Sequence, residues 1–149
     1  MDMRNLSRAD LESPQFLHLL WLATGLDNLS LRRIRDNHLP RLAVAGVMAD
    51  GAVVGFVAYD EGDSRVVMKY IATVEARRGA RIGSSLVHEL QRRHPGLAIF
   101  AQTDDDAIGF YRKLGFTETA APQDPRWPSQ RRYDCLLAAP RTRTDRDSP

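Results

Sequence analysis

Residues 68–86 read MKYIATVEARRGARIGSSL: a β-rich run that breaks into a glycine-containing loop and then enters a helical pattern. Ile82, Leu86 and Leu90 recur at four-residue spacing, which gives the downstream segment one apolar face. Arg92 and Arg93 complement the C-terminal dipole of that helix, and Pro95-Gly96 stops it. A strand that runs into a glycine loop at a helix N-terminus presents several unpaired backbone N–H groups to one point. Geometry and dipole together suit such a point to phosphate oxygens. Arg77, Arg78 and Arg81 add positive charge there. The stretch is neither GxxxxGK(S/T) nor GxGxxG, so ATP and dinucleotides are poor candidates and another pyrophosphate-bearing ligand stays open.

Upstream, RLAVAGVMA (41–49) and AVVGFVAYD (52–60) are β-rich runs joined by Asp50-Gly51, a two-residue hairpin signal. After the turn cluster EGDS comes RVVMKYIATV (65–74), so the three runs predict an antiparallel meander. Downstream, LAIFAQT (97–103) is a continuous apolar run of strand length, expected to be a central strand buried on both faces. DDDAIGFYRKLGF (104–116) predicts a second helix, with aspartates at its N-terminus and Gly115 at its C′ position. Phe116 is expected to begin another strand, TAAPQDPRWPSQ to form a loop, and RRYDCLLAA to close the sheet. Residues up to about Asp27 look helical, and Leu29 to Asn37 predicts a short helix ended by Pro40. The sum is an α/β fold, a mixed and mostly antiparallel central sheet flanked by helices. Residues 1–139 are expected to form one domain and 140–149 a polar tail.

Hydrophobic residues are 43% of the 149 positions and charged residues 27%, enough for one core and too apolar for wholesale disorder. No apolar run approaches the ~18 residues of a membrane span, and no signal-peptide core opens the chain, so a cytoplasmic protein is expected. The single cysteine, Cys135, gives neither an internal disulfide nor a metal cluster. His18, His38, His88 and His94 show no HExxH spacing, so no metal is expected. A net charge of +2 argues against nucleic acid as a partner.

Two motifs then carry a specific resemblance. IATVEARRGARIG resembles the acetyl-CoA signature of the GCN5-related N-acetyltransferase (GNAT) superfamily, strand then R/Q-x-x-G-x-G/A then helix. QTDDDAIGFYRKLGF is similar to the same superfamily's later motif, A-x-x-F/L-Y-x-x-x-G-F, and the two stand in the family's order. The resemblance spans roughly Arg41 to Leu137. It implies acetyl-CoA as co-substrate and direct transfer of its acetyl group to a primary amine of a small molecule or peptide. Ile71, Ala72 and Thr73 would pair their backbone with the pantetheine arm and polarise the acetyl carbonyl. Arg78, Gly79, Ala80, Arg81, Ile82, Gly83 and Ser84 would cradle the pyrophosphate. Tyr111 matches the tyrosine that protonates the departing thiolate in many members, a role suited to a phenol of ordinary pKa near 10. A homodimer through a sheet edge or helices is a family-level expectation.

The chain departs from the family pattern in three places. Arg81 replaces the middle glycine, so the motif reads R-x-x-R-x-G. Its amide survives, and its guanidinium can reach a phosphate. Asp104 stands where many members place a cofactor-contacting asparagine. Ile99 occupies the position of the glutamate base used by members that acetylate ribosomal protein N-termini, so the general base is unassigned, with Glu75 and Asp60 as candidates. These departures motivate an alternative, a catalytically silent GNAT-fold module that binds acyl-CoA. Tyr111 also fits a core aromatic stripe with Ala107 and Leu114, the loop arginines also fit a solvated turn, and the aspartate run also fits helix capping. Trp127, among prolines, is either a lid over the acceptor site or a packing anchor, and Cys135 reads as a buried small hydrophobe.

Overall fold

The computed structural model describes residues 1–140; the expected polar tail falls almost wholly outside them. Seven strands form one sheet in the order β1-β2-β3-β4-β5-β7-β6. They are β1 (Asp2–Asn5), β2 (Ala43–Ala49), β3 (Ala52–Glu61), β4 (Arg65–Thr73), β5 (Ala98–Asp104), β6 (Thr117–Ala121) and β7 (Arg132–Leu137). Only the β4–β5 pair is parallel, and α4 (Ile82–Arg93) is the crossover that makes it so. The remaining helices are α1 (Arg8–Leu11), α2 (Pro14–Thr24), α3 (Asn28–Arg33) and α5 (Ile108–Lys113). No helix among the described residues is long and apolar enough to cross a membrane.

The hairpin forms as read: Asp50 and Gly51 both take positive φ, 52° and 76°, which matches the twist of the flanking strands. Gly115 likewise ends α5 at φ 92°. The N-terminus departs from a single helical stretch. Asp2–Asn5 pairs antiparallel with β2, Ser7 and Asp10 cap α1 reciprocally, and Ser13 with Pro14 starts α2 afresh. Only Met3 of β1 packs against the core, so this edge strand carries no apolar alternation to read. Pro40 also fails to end the helical path. Ile34–His38 widen into a π-helical turn and Leu39–Arg41 tighten into a 3₁₀ turn, where proline in the first turn loses no hydrogen bond.

Each face of the sheet has its own core. On one side Leu86, Val87 and Leu90 of α4 and Ile108 and Tyr111 of α5 meet Val57, Val66, Ile99 and Cys135. On the other, Phe16, Leu19 and Leu20 of α2 and Leu31 of α3 meet Val44, Phe56, Ala58 and Tyr70. No β5 residue belongs to that second cluster, because the α2/α3 layer covers β2, β3 and β4 and stops short of β5. β5 is central, as expected, but is buried on one face: Phe100 is half-buried and Gln102 exposed, and the Arg65 guanidinium lies 4.1 Å from the Phe100 ring centroid. Strand β6 begins at Thr117 and runs to Ala121, so Phe116 precedes it and Thr119–Ala121 are strand, leaving the loop to start at Pro122.

Candidate active site

β4 and β5 pair from Arg65↔Ala98 to Met68↔Ala101 and no further, although β4 continues to Thr73 and β5 to Asp104. β3 holds β4 as far as Gly55↔Thr73, and β7 holds β5 as far as Asp104↔Arg132. The two strands therefore part. Lys69 begins the split: the β3–β4 register shifts between Ala58↔Tyr70 and Tyr59↔Met68, leaving Lys69 as the extra residue of a bulge that bends the strand. It also reverses the alternation, so Met68 and Ile71 serve one core while Tyr70 and Ala72 serve the other. Ile71, Ala72 and Thr73 thus sit on an edge that β5 does not pair, open to an extended ligand that adds as a strand.

Beyond Thr73 the chain makes a 3₁₀ turn over Glu75–Arg77 and reaches α4 through Gly79 (φ 88°) and Arg81 (φ 62°, ψ 25°). Arg81 thus adopts the left-handed conformation that favours glycine. The amides of Arg78 and Ala80 donate within the turn, to Glu75 and Arg77 carbonyls at 3.3 Å each. Those of Gly79, Arg81, Ile82, Gly83 and Ser84 donate to no backbone carbonyl among the described residues. Five amides are therefore left without a backbone acceptor at the positive end of a three-turn helix. Arg77 is tied to Asp50 at 3.0 Å, whereas Arg78 and Arg81 form no ion pair among the described residues. Ile82 is a packing residue: a Cβ on Gly55 would stand 2.6 Å from its Cγ2. A Cβ on Gly83 would come within 2.9 Å of Phe110 Cε1, so the absence of a side chain there seats α4 against α5.

Asp104 sets the entry to α5. Its Oδ1 accepts from the amides of Asp106 (3.0 Å) and Ala107 (3.1 Å), and its Oδ2 lies 4.0 Å from Arg132 Nη1. Asp104 thus forms a turn ahead of α5, whose N-cap residue, Ala107, offers no side-chain capping bond. The aspartate run precedes the helix instead of capping it, and one Asp104 oxygen is engaged by backbone amides. The turn delivers Tyr111, which is 5% exposed and edge-on to both Phe110 and Phe116 at 5.2 Å. Burial, and then Cys135 and Asp104, push its phenol well above the ordinary value, with Arg132 opposing, so the ring stays protonated. Cys135 beneath it is fully buried, and burial pushes its thiol up to about 11. Ellman's reagent at pH 8 is expected to leave this thiol unmodified in the native protein and to titrate one thiol per chain in denaturant; rapid native labelling would contradict the packing.

The base candidates fare poorly. Glu75 accepts from or shares a proton with His18 Nε2 at 2.9 Å, and that contact lowers its pKa. Asp60 pairs with Val67, on the closed side of the split. Three further segments do converge at the opening. His38 Nδ1 lies 3.4 Å from Tyr70 Oη, Arg126 Nη1 lies 3.5 Å from the same oxygen, and Trp127 Nε1 donates to the Thr24 carbonyl at 2.8 Å. Trp127 is thus anchored to the end of α2. None of Tyr70, His38, Arg126 or Arg132 was singled out by sequence reasoning, since they belong to segments without a shared motif.

Comparison with known proteins follows this geometry. The family model described as an acetyltransferase (GNAT) domain matches residues 41–118. None of the curated proteins compared with the chain matches it significantly. Among solved structures, an aminoglycoside 6′-N-acetyltransferase complexed with coenzyme A superposes with a TM-score of 0.71 at 17% identity, covering 95% of this chain and 99% of that one. The ribosomal-protein alanine N-acetyltransferase of Escherichia coli gives 0.70 at 19% identity, covering 94% of each chain. Ard1 of Thermoplasma volcanium gives 0.67 at 22% identity, covering 93% and 97%.

Proposed function

The chain belongs to the GNAT acetyltransferase family, and from that membership we propose that it transfers the acetyl group of acetyl-CoA directly to a primary amine in the cytoplasm. The observation that carries this reading is the parting of β4 from β5 between the free amides of α4 and the buried Tyr111 hydroxyl. The residues fit acetyl-CoA: the backbone groups that Ile71 and Thr73 turn away from β3 suit the amides of a pantetheine arm, and five unpaired N–H groups suit a pyrophosphate. Bound there, acetyl-CoA supplies an activated thioester.

The chain's own groups do the rest. Backbone N–H donors of β4 stabilise the negative charge that builds on the thioester oxygen as the amine attacks. A C–N bond forms and the C–S bond breaks. Tyr111 delivers its proton to the sulfur that leaves, and the proton released by the amine passes through solvent and restores the Tyr111 phenol, so that amine and thioester become amide and thiol. Holding both reactants in the split removes much of the entropic barrier. Asp104 acts as a positioning residue through the turn that carries Tyr111. Residues 1–139 form the functional unit.

Calorimetric titration with acetyl-CoA and with free coenzyme A tests the reading. Micromolar binding of both, with thiol release when an amine is added, is expected. Binding without thiol release on any amine would make the chain an acyl-CoA-binding module, and no binding would end the reading. Arg81→Gly sharpens the test. Relief of the left-handed strain should raise stability by about 0.5–1 kcal/mol. Loss of the guanidinium should weaken coenzyme A binding by about 5- to 10-fold. Unchanged affinity would remove the Arg81 side chain from the cradle.

A further inference from the structure

The α2/α3 side of the split carries a group of side chains that the cofactor reading leaves unused. Tyr70 is the first β4 residue past the Lys69 bulge and faces that side. Its hydroxyl is met by His38 at the end of the π-helical turn and by Arg126 from the β6–β7 connection. Asp124 clamps the Arg126 fork through Nε (3.2 Å) and Nη2 (3.0 Å), which leaves Nη1 turned to Tyr70. The Arg126 and Arg132 guanidiniums lie 4.4 and 4.7 Å from the Trp127 ring centroid. Arg132 is 7% exposed. Its one ion-pair partner among the described residues, Asp104, is 4.0 Å away, and its Nε has no hydrogen-bond partner.

A buried guanidinium with so distant a counter-charge is under-compensated, and leaving its donors unfilled is costly. The opening is therefore framed by two guanidiniums, a phenol and an imidazole. Of the two carboxylates nearby, Asp124 is taken by Arg126 and Asp104 is half taken by backbone amides. We propose that the acceptor is a primary amine bearing a carboxylate, which docks on Arg126, Tyr70 and Arg132 while the amine points into the split. This rests on the acetyltransferase reading above and specifies its substrate class. The donors left over, Arg126 Nη1, the Tyr70 hydroxyl and Arg132 Nε, suit the oxygens of a carboxylate, whereas a polycationic amine would meet like charge at the same place.

Protein saturated with coenzyme A is titrated calorimetrically with N-acetylglycine, N-acetylalanine and N-acetylglutamate, each against its amide. These carry the product's acetyl group without a titrating amine. The acids are expected to bind about 10- to 100-fold more tightly than the amides. In Arg126→Gln, and separately in Tyr70→Phe, the ratio is expected to fall toward one. Arg126 lies on a connection and its side chain is 45% exposed, so its replacement does not open the core. Arg126→Lys should recover only part of the ratio, because an ammonium cannot hold Asp124 through two parallel bonds while a third donor faces Tyr70. Equal affinity for acid and amide, or tighter binding of cadaverine than of any acid, overturns the proposal while coenzyme A still binds. Failure to bind coenzyme A in the first step overturns the acetyltransferase reading and this one with it.

Discussion

Tyr111→Phe is expected to lower turnover by about 10²-fold or more, with coenzyme A affinity within about twofold of the parent. The ring is 5% exposed between Phe110 and Phe116, so phenylalanine fills the same space and only the hydroxyl is lost. Burial raises the pKa of that hydroxyl, which keeps it protonated, so that it can hydrogen-bond to the developing thiolate and share its proton with it. Steady-state kinetics together with calorimetry separate the two effects. A turnover equal to that of the parent would make Tyr111 a core aromatic, as its helical stripe with Ala107 and Leu114 also allows.

The largest effect on stability is expected from Phe16→Ala, at about 3–5 kcal/mol. Phe16 is fully buried and packs edge-on against Phe56 with centroids 4.9 Å apart, pinning α2 to the middle of the sheet. Against a total of about 5–15 kcal/mol for a domain of ordinary stability, this loss alone brings the protein near unfolding. Urea melts check it, with Leu29→Ala as the comparison. Leu29 is 61% exposed, so its truncation should change stability by no more than about 0.5 kcal/mol. A Phe16→Ala midpoint close to that of Leu29→Ala would mean that α2 is not cooperative with the sheet. The same helix supplies the Thr24 carbonyl that anchors Trp127, so a loosened α2 should also weaken acceptor binding before it weakens coenzyme A binding.

Much of the architecture could be read along the chain because its causes are local. Asp50-Gly51 makes a tight turn wherever it lies between β-rich runs, and both residues do take positive φ. Ile82, Leu86 and Leu90 share a helix face by spacing alone, and all three are buried. The two motifs that resemble the family likewise depend on residues close in sequence, and the family model matches across both. Arg81 could be recognised as occupying a glycine position from its neighbours.

Strand β1 is different. Its pairing partner lies some 40 residues away, and an exposed edge strand is held by backbone bonds that any side chain permits. The one-sided burial of β5 follows from where α2 and α3 end, which no periodicity within LAIFAQT encodes. The Lys69 bulge is a mismatch in length between two strands, so neither strand shows it separately, yet it opens the split and turns Tyr70 to the far face. Tyr70, His38, Arg126 and Arg132 meet only because a bulged strand, a π-helical turn and a proline-rich connection end at the same place. The proposed cofactor half of the site could be read along the chain because it is one continuous strand–loop–helix. The proposed acceptor half depends on tertiary structure, because its groups approach one another across the sheet and no spacing along the chain records that distance.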